Sequence, residues 1–179
     1  MNRKTDSKSI ENLIKKLRKE IPDVIIRTTM IVGFPGETDE DFKELLEFIK
    51  RMKFEKLGAF TYSKEDGTPA ARLKEQIHYK TKQKRWNLLM SEQEKISKSK
   101  LEEKVGNVYT AIIDNITSDK KYLIARSYMD IPDEDGVIYI KNDGNSKIGE
   151  FIECKITGVK KYDLLGRKLE NWKKENAEN

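Results

Sequence analysis

Apolar residues set the first boundaries. Ile10, Leu13, Ile14 and Leu17 follow the i, i+3, i+4, i+7 spacing of a one-sided helix, with Ser7 or Ser9 as its predicted cap and Pro22 closing it. Val24 to Val32 is nearly continuous in apolar residues and threonine, which predicts a strand covered on both faces, as in parallel sheets. The glycines and proline of Gly33-Phe34-Pro35-Gly36 then force a turn. Thr38, with Asp41 three residues on, resembles a capping box. It opens a helix that carries Phe42, Leu45, Leu46, Ile49 and Met52 on one face. A second strand is predicted at Leu57 to Tyr62, so strand, helix and strand fall within about forty residues as one βαβ unit of a larger parallel sheet or barrel.

Further along, Thr81 to Lys104 is charged and helical, with Trp86, Leu89 and Ile96 at heptad-like spacing, and is read as a long connecting helix ended by Gly106. The period then shortens. Val108 to Ile113, Tyr122 to Ser127, Gly136 to Ile140 and Gly149 to Val159 alternate as strands, punctuated by Asn107, Asp119, Asp143-Gly144 and Gly158. Four or five strands in so short a stretch predict a small closed OB-like β-barrel. The predicted organisation is therefore α/β followed by all-β: residues 1–80, a helix over 81–104, a barrel over 105–170 and a fraying tail over 171–179.

Composition narrows the chemistry. Charged residues make up 37% of the 179-residue chain and apolar residues 36%, a balance that suits solvated helices around ordinary cores. No stretch approaches the ~20 apolar residues of a membrane span and MNRKTDSKS lacks a signal-peptide core, so a cytoplasmic protein without a membrane partner is expected. One cysteine, Cys154, and one histidine, His78, supply too few ligands for a cluster or a conventional zinc site. The net charge of +5 is uneven: Met1 to Lys104 holds 24 basic and 18 acidic residues, and Val105 to Glu170 holds 10 and 11. The second half thus has no broad basic surface in its composition.

Four motifs in order carry a family resemblance: GFPGET after RTTMIV, FTYSKEDGTPA after the next strand, ARSYMDIPDEDG within the barrel and KKYDLLG near its end. Together they closely resemble the C-terminal part of the methylthiotransferases of the radical S-adenosylmethionine superfamily. The resemblance implies a partial (β/α) barrel fragment followed by a TRAM domain from Val105 to about Lys168, generally an RNA-binding module. It also implies S-adenosylmethionine and two four-iron four-sulfur clusters in the full-length enzyme. The cysteine triplets that hold those clusters are absent here. The chain is therefore expected to begin inside the radical domain, to bind no cluster or metal and to be inactive alone. Two members of the family compete: one modifies an aspartate of the small-subunit ribosomal protein numbered twelve, the other an adenosine of transfer RNA. Glu65-Asp66 before Gly67-Thr68, and the Arg126 to Gly136 stretch, resemble the first. A stand-alone RNA-binding TRAM protein is the alternative of another class, which the βαβ unit opposes. In the favoured reading, a 5′-deoxyadenosyl radical takes a β-hydrogen from the aspartate, and sulfur and methyl follow from the auxiliary cluster.

The resemblance also places the site. The strands at 24–32 and 57–62 correspond to the fifth and sixth of the barrel, their C-terminal ends facing S-adenosylmethionine. Arg27, Thr29, Gly33, Phe34 and Gly36 are expected on the cofactor side, although each has a plain alternative as a surface strand residue or turn former. Tyr62 and Ser63 are expected near the substrate mouth, where packing is the commoner role for a tyrosine. Asp130, Asp133, Glu134 and Asp135 form an acidic run that opposes phosphate and suits a basic ribosomal protein, with turn chemistry as the bland alternative. His78, with no acidic or thiol neighbour, reads as a helix-start residue rather than a base. The Lys80 to Arg85 run reads as a solvated face, with ribosomal RNA as a further candidate contact. No feature assigns an oligomeric state.

Overall fold

The computed structural model describes residues 6–169. The chain divides into two compact units, residues 1–97 and 98–179. In the first, α1 (Ser7–Glu20) leads to β1 (Arg27–Val32), α2 (Asp39–Met52), β2 (Lys56–Thr61), a short 3-10 turn (Ala70–Arg72) and α3 (Tyr79–Glu102). β1 and β2 pair in parallel, Arg27 opposite Lys56 through Val32 opposite Thr61. One face of this sheet is covered. Val32, Phe42, Ile49, Phe54, Leu89 and Ile96 form a buried cluster, onto which Met30, Leu57 and Ala59 pack from the strands.

Three expectations change at this level. The cap of α1 is Asp6, whose carboxylate accepts the Ser9 N–H at 2.7 Å, rather than Ser7 or Ser9. β1 is shorter than predicted and covered on one face only, with Arg27, Thr29 and Ile31 alternating outward while Val32 is buried. Arg27 and Thr29 break the apolar run because they belong to an open face. Finally, the buried stripe of α3 holds Leu89 and Ile96 as read but also takes in two polar residues, Arg85 and Gln93. Trp86 flanks this stripe, and its indole N–H donates to Ala59 O at 2.7 Å, fixing the helix to β2.

The capping box of α2 is formed as read. Thr38 Oγ accepts from the Asp41 N–H at 3.1 Å and the Asp41 carboxylate accepts from the Thr38 N–H at 2.9 Å. At its other end Lys53 takes a left-handed conformation, φ +47°. There Arg18 of α1 donates to the orphaned carbonyls of Met52 and Lys53 and pairs with Glu55 at 3.0 Å. The first two helices are thus joined through the end of α2.

The second unit is a closed barrel in the order β3-β4-β5-β7-β6, with β6 returning to β3. Its strands are β3 (Val108–Ile116), β4 (Tyr122–Ser127), β5 (Ile138–Lys141), β6 (Phe151–Lys160) and β7 (Asp163–Lys168). All neighbours are antiparallel except β5 and β7. Alternation sends Ile113, Leu123, Ile138, Ile140 and Ile156 inward, each at most 1% exposed. Cys154 lies with them, and burial pushes its thiol up to about 11. Gly166 faces that sulfur so closely that an added Cβ would sit 2.3 Å from it. The predicted tail lies outside the described residues.

Candidate functional site

The open face of the β1–β2 sheet follows from strand alternation. Arg27, Thr29 and Ile31 of β1 lie on the same side as Lys56, Gly58 and Phe60 of β2, the opposite side carrying the core contacts. Ile31 and Phe60 remain 41% and 64% exposed. A Cβ at Gly58 would meet nothing within 4 Å, so the middle of this face has room for a ligand. Cations, a hydroxyl and apolar surface therefore share one surface. Arg27 and Lys56 also make contacts of their own within the unit.

At the C-terminal end of the sheet the two expected groups meet. The ring of Phe34 stands edge-on to that of Tyr62 with centroids 5.2 Å apart, and the Tyr62 N–H donates to Val32 O at 2.8 Å. The buried Tyr62 hydroxyl finds no hydrogen-bond partner among the described residues. Ser63, next along, is exposed. The elbow between has the signature of a type II turn: Pro35 at its second position, Gly36 at φ +84°, and the Glu37 N–H closing onto Phe34 O at 2.9 Å. The Gly36 N–H in turn donates to Glu75 O at 2.9 Å. Gly33, at φ +73°, lies against the Lys82 side chain, whose Cγ would be 2.4 Å from an added Cβ. Both glycines meet a backbone demand, and Gly33 also admits a lysine of the same unit.

Beneath the elbow lies a charge relay that the sequence reading did not single out. Arg85, only 6% exposed, donates to the Glu37 carboxylate at 2.7 Å, to Glu37 O at 3.0 Å and to Asp39 at 2.7 Å. Both Glu37 oxygens accept the Gly33 N–H at 3.0 Å. Burial opposes the guanidinium charge, and the bonds to Asp39 and Glu37 outweigh it, holding the Arg85 pKa above its ordinary value. The available signal was Arg85 standing four residues before Leu89 on the buried stripe. Lys82 adds a second tie: its ammonium donates to Tyr62 O at 2.8 Å and lies 4.9 Å from the Tyr62 ring centroid. Two of the four basic residues in the 80–85 run thus bind inward, and the run is not a uniformly solvated face. His78 immediately precedes α3, and its Nδ1 accepts the Lys80 N–H at 3.2 Å.

In the barrel unit the acidic run divides. Asp130 accepts from Ser127 Oγ at 3.2 Å, and Asp135 accepts the Ile131 N–H at 2.8 Å, so both brace their own loop. Asp133, at φ +64°, and Glu134 are exposed. The site residues expected from the sequence therefore occur in two groups, one on each unit.

Similarity to known proteins follows the same division. Residues 1–49 match the radical SAM superfamily, and residues 105–168 match the TRAM domain. The chain is a radical SAM protein segment joined to a TRAM barrel. It is 59% identical over 167 residues to the ribosomal protein uS12 methylthiotransferase RimO of Alkaliphilus oremlandii, an alignment covering 93% of this chain and 38% of that protein. The proteins of the same description from Clostridium botulinum (strain Loch Maree / Type A3) and Acetivibrio thermocellus are 48% and 40% identical over 166 residues, covering 93% of this chain and 37% of each. The chain is thus similar to these RimO proteins along 93% of its own length and spans less than two-fifths of the length of these curated relatives.

Proposed function

We propose that this chain forms part of the active-site wall and the TRAM domain of an enzyme that methylthiolates an aspartate of ribosomal protein uS12 in the cytoplasm. The observation that carries the reading is the 59% identity to a RimO protein, sustained over 93% of the chain and so across both units.

The residues present do not fit an iron-sulfur cluster. The single cysteine is sealed inside the barrel with its thiol protonated, and no group of three or more His, Cys, Asp or Glu among the described residues could hold a metal ion. No step is therefore assigned to cluster ligands on this chain. The open sheet face fits S-adenosylmethionine better: Arg27 and Thr29 offer polar partners, Gly58 leaves room, and Ile31 with Phe60 offers apolar surface. Bound there, the cofactor would supply radical chemistry to the complete enzyme. The chain's own part is to orient. The Arg85–Glu37–Gly33 relay holds the elbow, and Phe34 packs edge-on against Tyr62 at the end of the sheet. Exposed Ser63 beside them is the group proposed to meet the substrate aspartate, with Tyr62 as the wall behind it. Asp133 and Glu134 of the barrel attract the basic ribosomal protein.

The test is made on the full-length enzyme that contains this chain, reconstituted with iron, sulfide and S-adenosylmethionine. Mass spectrometry should find a methylthio group on an aspartate of uS12. Methylthiolation of transfer RNA adenosine with uS12 left unmodified would overturn the reading.

A further inference from the structure

The outer face of the barrel carries an apolar groove of about 490 Å³ between β3, β4 and β6. Val108, Tyr128 and Phe151 line it at 46%, 61% and 62% exposure, with Tyr109 and Ile112 half-buried beside them. Register explains the arrangement. Ile112 lies between Arg126 of β4 and Phe151 of β6, while its neighbours Ala111 and Ile113 point into a filled core. The outward apolar residues are therefore surplus to folding, and such a patch on a small barrel marks a contact surface.

Charge around the groove selects its occupant. Arg126 pairs with Asp114 at 2.8 Å, and Glu153 accepts from Thr110 at 2.5 Å. Ser127, which lines the groove, binds Asp130, and the loop carrying Asp133, Glu134 and Asp135 follows directly from Tyr128. Lys155, opposite Val108, and the exposed Arg167, opposite Lys155 on β7, are further cations of this face. Six carboxylates (Asp114, Asp130, Asp133, Glu134, Asp135, Glu153) thus stand against three cations (Arg126, Lys155, Arg167). Aromatic rings of this kind also suit stacked bases, but a phosphate backbone would meet the carboxylate excess and forgo counterion release.

We propose that this groove docks a cationic, extended protein segment that inserts an apolar or aromatic side chain between Tyr128 and Phe151, its lysines or arginines meeting Asp133 and Glu134. The inference rests on the reading that the partner is a basic ribosomal protein. It adds the surface and the apolar anchor.

The test titrates the full chain with uS12 and with single-stranded RNA at matched salt, comparing the native protein with Tyr128→Ala, Phe151→Thr and an Asp133→Lys/Glu134→Lys pair. Phe151→Thr puts a β-branched residue of good strand propensity in β6, and thermal melting monitors folding of every variant. Each groove variant should weaken uS12 binding at least about tenfold, as loss of a buried aromatic anchor does, while the loop pair chiefly slows association. Native binding to uS12 that neither groove variant alters would overturn the groove proposal and leave the partner reading standing. Tighter native binding to RNA than to uS12, or no binding to either, would overturn both.

Discussion

The two units solve the same problem, covering a sheet, in opposite ways. The barrel closes: every strand pairs on both sides and the inward residues of all five fill one core. The first unit stays open, because β1 and β2 pair only with each other among the described residues and helices cover one face. Closure removes strand edges and makes the interior self-sufficient. The open sheet instead depends on buried ties from α3 to hold the elbow in shape. The proposed roles follow the difference: the proposed ligand surface is on the unit left uncovered, and the proposed docking surface is on the outside of the unit that is complete.

The comparison breaks most severely at Arg85. Arg85→Met leaves the Glu37 carboxylate, with a side chain only 12% exposed, without its charge partner. Breaking a buried pair in this way costs about 3–5 kcal/mol. The first unit should lose its melting transition or shift it far down while amide resonances of the barrel stay in place; an unshifted melt would show that the relay is not what holds the elbow.

A smaller loss is expected inside the barrel. Gly166→Ala pushes a Cβ toward Cys154 Sγ and should cost about 1–3 kcal/mol, as overpacking does. Adding Cys154→Ala removes the obstructing sulfur. Chemical denaturation of the double variant should therefore recover part of the loss, and simple additivity of the two changes would contradict the packing described.

Smaller again is an acid effect confined to the barrel. The Lys168 ammonium, 2.8 Å away, holds the Asp143 carboxyl well below its ordinary range, with the Ser146 and Asn145 N–H groups assisting. A depressed carboxylate stabilises the fold above its unfolded pKa of about 3.9, and this contribution fades as pH falls toward the folded value. Asp143→Asn should flatten the stability profile below about pH 4 relative to the native protein. Identical acid profiles would remove Asp143 from the account.

The smallest change is expected on the open face. Phe60→Ser should alter stability by no more than about 0.5 kcal/mol, since its ring is already 64% exposed. A loss of several kcal/mol, measured by denaturation of the isolated chain, would mean that the face is packed rather than open.

Much of the fold was legible in the sequence because local rules agreed with the tertiary outcome. Thr38 and Asp41 form a capping box from spacing alone, and the alternation of β3 to β6 reports which residues line the barrel. What escaped was non-local. Ser7 and Ser9 are acceptable caps, and only geometry selects Asp6. The β5–β7 parallel pairing depends on closure, which leaves no signature in either strand. The site was half legible: the glycine elbow declares itself, whereas Arg85 and Glu37 lie 48 residues apart in a chain so rich in charge that neither stands out. The acidic run showed its composition but not its division into loop-bracing Asp130 and Asp135 and exposed Asp133 and Glu134.

The bond from the Trp86 indole to Ala59 O gives the first unit its own optical reporter. An indole held half-buried against a strand carbonyl changes its fluorescence when the helix lifts from the sheet. The other tryptophan, Trp172, lies beyond the described residues, so Trp172→Phe leaves Trp86 as the single tryptophan, excited apart from the tyrosines at the red edge of the indole band. Emission from that variant then follows the docking of α3 onto β2 without a signal from the barrel, which contains no tryptophan of its own.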